Sequence, residues 1–316
     1  MTDVIEEKEA HQRPRPMYLG DYPLMVGPFT HLVDEAERLA GLTWTHFEAA
    51  RLSPTIGAEL TGPDLRQELP AAVVDEIRQA LYEYKVIFFR DQKLTSEQHS
   101  AFAGRFGELE FHPFIPSNTA EPKLVRFEKS AAFGGYENLW HHDVTWRECP
   151  SMGAVLHAVT VPPLGGDTLF SDMYAAYESL DDETRVLIDD MEAVHDFTRT
   201  FGFSMTPDQL AQMQEKYPSV RHPVVCTHEG TGRRHLYVNR AFTDHIVGLE
   251  PEESRALIDR LCRRADAPEH QCRFRWTPDA VAFWDNRAVQ HYAGSDYYPQ
   301  VRVMERASIV GSRPFR

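Results

Sequence analysis

The chain has 316 residues, 42% hydrophobic and 26% charged, which is enough apolar mass for a sizeable core and rules out wholesale disorder. Its 33 Lys and Arg against 48 Asp and Glu leave a formal charge of −15, which argues against nucleic acid or anionic membrane as partners; Arg233-Arg234 and Arg263-Arg264 are isolated pairs rather than a basic patch. No apolar run approaches the roughly 18 residues of a bilayer span, the first 15 residues lack the basic and apolar regions of a signal peptide, and Cys149, Cys226, Cys262 and Cys272 form no C-x-x-C pair, so a cytoplasmic protein with reduced cysteines is expected.

Residues 1–16 are charged and aperiodic and read as a disordered or loosely attached arm. Up to residue 50 the chain reads as an N-terminal extension, with Tyr18, Tyr22, Phe29, Trp44 and Phe47 and a helix-like spacing in HLVDEAERLA, expected to pack on the core, on a second subunit or over a pocket. Residues 51–316 read as one domain. In it, Val73, Val74, Ile77, Ala80 and Leu81 predict a helix face, Val86-Ile87-Phe88-Phe89 a buried strand, and Thr95 with Gln98 a capping box that opens a second helix ending near Gly107. Two further helices are predicted around 172–191 and one from Pro251. Strands are predicted at 123–127, 152–161, 192–197, 234–238, 272–276, 280–284 and 301–310. Many short strands between Pro, Gly and Asp loops favour a sandwich or barrel with flanking helices, and no glycine-rich phosphate loop is present.

Trp140-His141-His142-Asp143-Val144-Thr145-Trp146 is flanked by aromatic and β-branched residues and reads as extended. In a strand His141 and Asp143 share a face while His142 points away with Trp140 and Val144. Joined by a distant histidine, with His291 the candidate, they would form a 2-His-1-carboxylate face that suits non-haem Fe(II); a catalytic zinc could use the same donors. The last strand places Arg302, Met304, Arg306 and Ser308 on one face. Its two arginines lie roughly 13 Å apart at about 3.3 Å per residue, far enough to grip two different anions, unless both face solvent from a sheet edge.

W-H-x-D at 140–143, G-G-D-T at 165–168, W-D-N-R-x-x-Q-H at 284–291 and R-x-x-x-R at 302–306 occur in this order. Together they resemble the TauD/TfdA family of Fe(II)- and 2-oxoglutarate-dependent dioxygenases over about residues 51–316. The resemblance implies a double-stranded β-helix, or jelly roll, with helices packed outside, and O2 as the further co-substrate. It implies His141, Asp143 and His291 as iron ligands, Thr168 and Arg302 as holders of the distal 2-oxoglutarate carboxylate, and Arg306 with His112 as the grip on the substrate anion. Phe201 and Phe242 match pocket aromatics. Compared with the taurine-cleaving branch, an asparagine position is Glu137 and a tyrosine position is Ile115. Glu137 is therefore either a pocket residue that pairs with an amine or a solvated loop acid.

The resemblance ranks a small sulfonate such as taurine first as substrate, cleaved to aldehyde and sulfite with succinate and CO2 as co-products. A sulfate ester or an aryloxyalkanoate is the alternative, and a non-catalytic jelly-roll anion-binding protein a remote one. His112 beside an anion is expected to favour its protonated form, so that binding weakens as pH rises. A homo-oligomer is compatible with the resemblance, which sets no subunit number.

Overall fold

The computed structural model describes residues 17–18, 25–115, 117, 121–132 and 137–316, so the expectation for residues 1–16 lies outside the described residues. Ten strands build the core: β1 (Glu48–Arg51), β2 (Ala58–Thr61), β3 (Val86–Phe89), β4 (Leu124–Lys129), β5 (Ser151–Thr160), β6 (Thr168–Asp172), β7 (Gln271–Phe274), β8 (Val281–Asp285), β9 (Val289–Ala293) and β10 (Arg302–Val310). They form a seven-stranded sheet in the order β1-β2-β3-β8-β5-β10-β4 and a three-stranded sheet in the order β7-β6-β9. All neighbours are antiparallel except β2 and β3. This is a jelly-roll core.

The period of two explains how the larger sheet is buried on both faces. Ile87 and Phe89 of β3, Val155, Phe283 and Ile309 point outward, under the helices Ala71–Tyr84 and Ser96–Gly104, and pack with Ile77, Leu81 and Phe102. Val86, Phe88, Leu156, Trp284 and Met304 point inward against Phe170 and Phe274 of the smaller sheet, where Phe88 stacks on Phe274 at 4.0 Å. Close strand approach needs a residue without a Cβ at Gly153, where one would lie 2.4 Å from the Trp284 carbonyl oxygen.

The capping box forms as the sequence predicts: Thr95 Oγ1 accepts from the Gln98 N–H at 3.2 Å and Gln98 Oε1 from the Thr95 N–H at 2.9 Å. That helix ends at Gly104, before the expected Gly107. Residues 29–51 pack on the core: Leu39 joins the outer cluster, β1 extends the larger sheet, and Glu35 accepts from the buried Lys85 ammonium at 2.7 Å and from Arg233 at 2.6 Å. A second layer, with Glu192–His195 between Val220–Pro223 and Thr243–Ile246, packs with helix Pro251–Cys262 beside the mouth of the jelly roll. No helix among the described residues is long and apolar enough to cross a membrane.

Candidate active site

One ligand atom from each of His141, Asp143 and His291 lies within 4.8 Å of the others. His291 stands on β9, and His141 reaches it through an isolated antiparallel bridge with backbone bonds of 3.1 and 2.9 Å. The Nε2 atoms of His141 and His291 lie 3.8 and 3.9 Å from the two Asp143 oxygens. Nδ1 of His141 donates to the Leu139 carbonyl at 2.7 Å, which leaves the Nε2 lone pair facing the carboxylate. Burial opposes ionisation of Asp143, but Arg306 and the two histidines outweigh it and hold the carboxyl far below the usual range. Two imidazoles and an ionised carboxylate that open on one side to a cavity fit a divalent iron ion with vacant positions.

The expected strand through 140–146 is not formed. Residues 143–146 make a turn, and Val144 takes a left-handed φ of 47°. The cause is Asn286: its Oδ1 accepts the Asp143 N–H at 2.7 Å, and its Nδ2 donates to the carbonyls of Asp143 and Ser151 at 3.0 Å each. His142 and Trp140 turn away as expected, His142 against the Tyr237 ring at 4.9 Å and Trp140 against Tyr292 at 5.6 Å, whereas Val144 lines the cavity.

β10 lies between β5 and β4, so the solvent-edge alternative for its arginines does not hold, and Arg302, Met304 and Arg306 all face the cavity. Arg302 is buried, and its Nε and Nη2 have no hydrogen-bond partner among the described residues. Burial lowers its pKa, the mark of a guanidinium short of its anion. Thr168 accepts the Trp276 indole N–H at 2.9 Å, which orients the hydroxyl so that its own proton is free to donate. Arg306 Nη1 donates to both Asp143 oxygens at 2.9 Å, and its Nε has no partner among the described residues.

The cavity, of ≈ 660 Å³, also contains His112, Phe201, Phe242 and Glu137 in its wall. Phe201 and Phe242 stack at 6.3 Å, and His112 lies 5.9 Å from the Phe201 ring. His112 Nδ1 accepts the backbone N–H groups of Phe114 and Ile115 at 3.2 and 3.1 Å. With no anion beside it, burial and then Arg306 push its pKa down to about 3, and the two N–H groups at Nδ1 place the ring proton on Nε2. Glu137 is drawn to Lys129 at 2.8 Å, and Lys129 pairs across the sheet with Arg302.

Sequence reasoning did not single out Asn286, Trp276 or Asp285. Asp285 is buried and accepts from His228 at 2.9 Å and Arg287 at 2.6 Å. Asn286 and Asp285 lie inside the W-D-N-R motif, so the signal was present; only their partners were not.

The family described as taurine catabolism dioxygenase TauD, TfdA family, matches residues 48–308. The chain is 34% identical to an alkylsulfatase of Acinetobacter baylyi, an alignment covering 83% of this chain and 84% of that protein. It is 36% identical to an alpha-ketoglutarate-dependent sulfate ester dioxygenase of Pseudomonas putida, covering 82% and 88%. The crystal structure of a taurine dioxygenase from Burkholderia xenovorans superposes with a TM-score of 0.74 at 38% identity, covering 85% of this chain and 91% of that one. A jelly roll with a His-Asp-His group in its mouth and a family match over most of its length make the chain a member of the TauD/TfdA family of dioxygenases, which use Fe(II), 2-oxoglutarate (alpha-ketoglutarate) and O2.

Proposed function

We propose that this dioxygenase acts on an alkyl sulfate ester, oxidising the carbon that carries the ester oxygen so that the product collapses to an aldehyde and sulfate. The observation that carries this reading is the apolar part of the cavity lining beside His112, where Phe114 and Phe201 lie against its ring and cluster with Phe242 and Val144. An alkyl chain gains about 25 cal/mol per Å² of surface buried there, whereas the ammonium of taurine would lose its hydration against these apolar side chains. The names of the alkylsulfatase and the sulfate ester dioxygenase agree with this choice.

In this reading His141, Asp143 and His291 hold Fe(II), which with 2-oxoglutarate and O2 supplies the oxidising power when bound. Arg302 pairs with the distal 2-oxoglutarate carboxylate, and Thr168, oriented by Trp276, donates to the same group. Arg306 and the Nε2–H of His112 would hold the sulfate oxygens, and Phe201 with Phe242 would pack the adjoining carbon chain and restrict its orientation. Glu137, tied to Lys129, lies toward the 2-oxoglutarate end and away from the alkyl chain. A cytoplasmic setting suits three buried free cysteines. A small sulfonate remains the second reading, because the same arginine and histidine would hold it; its product would be sulfite.

Succinate formation with Fe(II), 2-oxoglutarate and O2, measured with alkyl sulfates of increasing chain length, amine-free alkylsulfonates, taurine and aryloxyacetates, tests the proposal, with His141→Ala as control. The expected result is sulfate release with kcat/KM that rises with chain length. Taurine turnover as efficient as that of the best alkyl sulfate would overturn it.

A further inference from the structure

Alternation along β10 turns Arg302, Met304 and Arg306 toward the cavity and Glu305 to the opposite face, where helix Ser96–Gly104 covers the sheet. There Glu305 meets His157, its cross-strand neighbour on β5, and His99 from that helix. One ligand atom of each lies within 4.8 Å of the others, and all three residues are buried. Among the described residues only this group and the His141 group bring two imidazoles and a carboxylate to one point.

The ring nitrogens are already sorted for coordination. His99 Nε2 donates to the Val155 carbonyl at 2.9 Å, which leaves Nδ1 as a bare lone pair, and that atom is buried with no hydrogen-bond partner among the described residues. His157 Nε2 is likewise buried and without a hydrogen-bond partner, 3.7 Å from the half-exposed Asp279 carboxylate. Orphaned buried polar atoms of this kind cost about 1–3 kcal/mol each unless a ligand takes them. Glu305 accepts from Ser96 Oγ at 3.2 Å and Arg126 Nη1 at 2.9 Å, contacts that orient its carboxylate toward the two rings.

We infer that His99, His157 and Glu305 form a second metal site, structural rather than catalytic, that takes a divalent ion of borderline softness such as Zn(II). Two imidazoles and a carboxylate, all buried under the helix, are donors that ion accepts. It would join helix Ser96–Gly104 to β5 and β10 one residue from Arg306, and so brace from behind the strand that carries both cavity arginines.

The test uses His141→Ala protein, whose catalytic metal group is broken, exposed to Zn(II) alone and then desalted. About one retained equivalent is expected, with a rise in Tm on metal addition. Adding His99→Gln or Glu305→Gln should abolish both effects in protein that keeps the wild-type circular dichroism. No retained metal in His141→Ala, or metal retained unchanged in the folded double variants, would overturn the inference. Where neither double variant folds, anomalous diffraction from Zn(II)-soaked His141→Ala crystals decides: a peak between His99 and His157 supports the site and its absence overturns it.

Discussion

His112 offers the sharpest test of how the substrate anion is held. A charged imidazole would bind the anion at low pH and release it as pH rises. In the structure Nδ1 is occupied by the Phe114 and Ile115 N–H groups and cannot take a proton without breaking both bonds. In the anion-free pocket the pKa is pushed down to about 3, and the backbone bonds at Nδ1 favour the neutral ring, which is then expected to stay neutral at working pH. Under the proposed function its contribution to binding would be one Nε2–H donor to a charged acceptor, worth about 1.5–3 kcal/mol. His112→Leu should raise KM for the alkyl sulfate about ten- to a hundredfold, by the same factor at about pH 6.5 and about pH 8.5. His112→Gln, whose amide reaches as far as Nε2, should recover most of the loss. The assay is initial-rate sulfate release at saturating 2-oxoglutarate, read as the ratio of wild type to variant so that other titrations cancel. A ratio that shrinks by about tenfold per pH unit above neutrality would show a protonated imidazole at work and refute the reasoning.

Arg302→Gln removes the buried guanidinium whose Nε and Nη2 lack partners among the described residues and should raise KM for 2-oxoglutarate about ten- to a hundredfold while KM for the sulfate ester stays put; an equal rise in both would contradict the division of labour between the two arginines. Trp276→Phe deletes the 2.9 Å bond that orients Thr168 and should raise KM for 2-oxoglutarate about fivefold, for a loss near 1 kcal/mol, with no rescue expected at high sulfate ester concentration. Stability should fall on acidification. His99, His142, His195 and His235 are buried and held neutral by desolvation, to about 4 for His99 and about 3 for His235, whereas in the unfolded chain they take up protons near pH 6.5. Their contribution is complete above pH 6.5 and is lost as pH drops toward 4, by about 1.4 kcal/mol per pH unit for each histidine. Urea midpoints between about pH 7 and pH 5 measure this, and a flat profile would mean that these rings are already protonated when folded.

Much of the chain was legible from local pattern alone. Apolar periodicity located the helix Ala71–Tyr84 and the strands Val86–Phe89 and Arg302–Val310, because burying one face imposes a period that the residues must follow. Alternation also placed Arg302 and Arg306 on a common face, and motif order brought His141, Asp143 and His291 together before any coordinates did. Local pattern failed where a distant partner overrides it. The aromatic and β-branched residues of 140–146 favour a strand, yet Asn286, 143 residues away, bonds both sides of the Asp143 peptide and turns the chain there. Lys85, which in isolation reads as a surface lysine, is wholly buried because Glu35 and the Thr55 carbonyl meet its ammonium.

By itself the sequence determined which donors and which cations the protein possesses, and on which face of each element they stand, since both follow from residue identity and backbone period. Only the tertiary structure decided their protonation and their pairing. The neutral state of His112, the orientation of Thr168 by Trp276 and the meeting of His99 with His157 and Glu305 each depend on groups far apart in the chain. A side chain's charge and hydrogen bonds are set by what folding brings within about 3 Å of it and by the water that burial removes, and neither is written in its sequence neighbours.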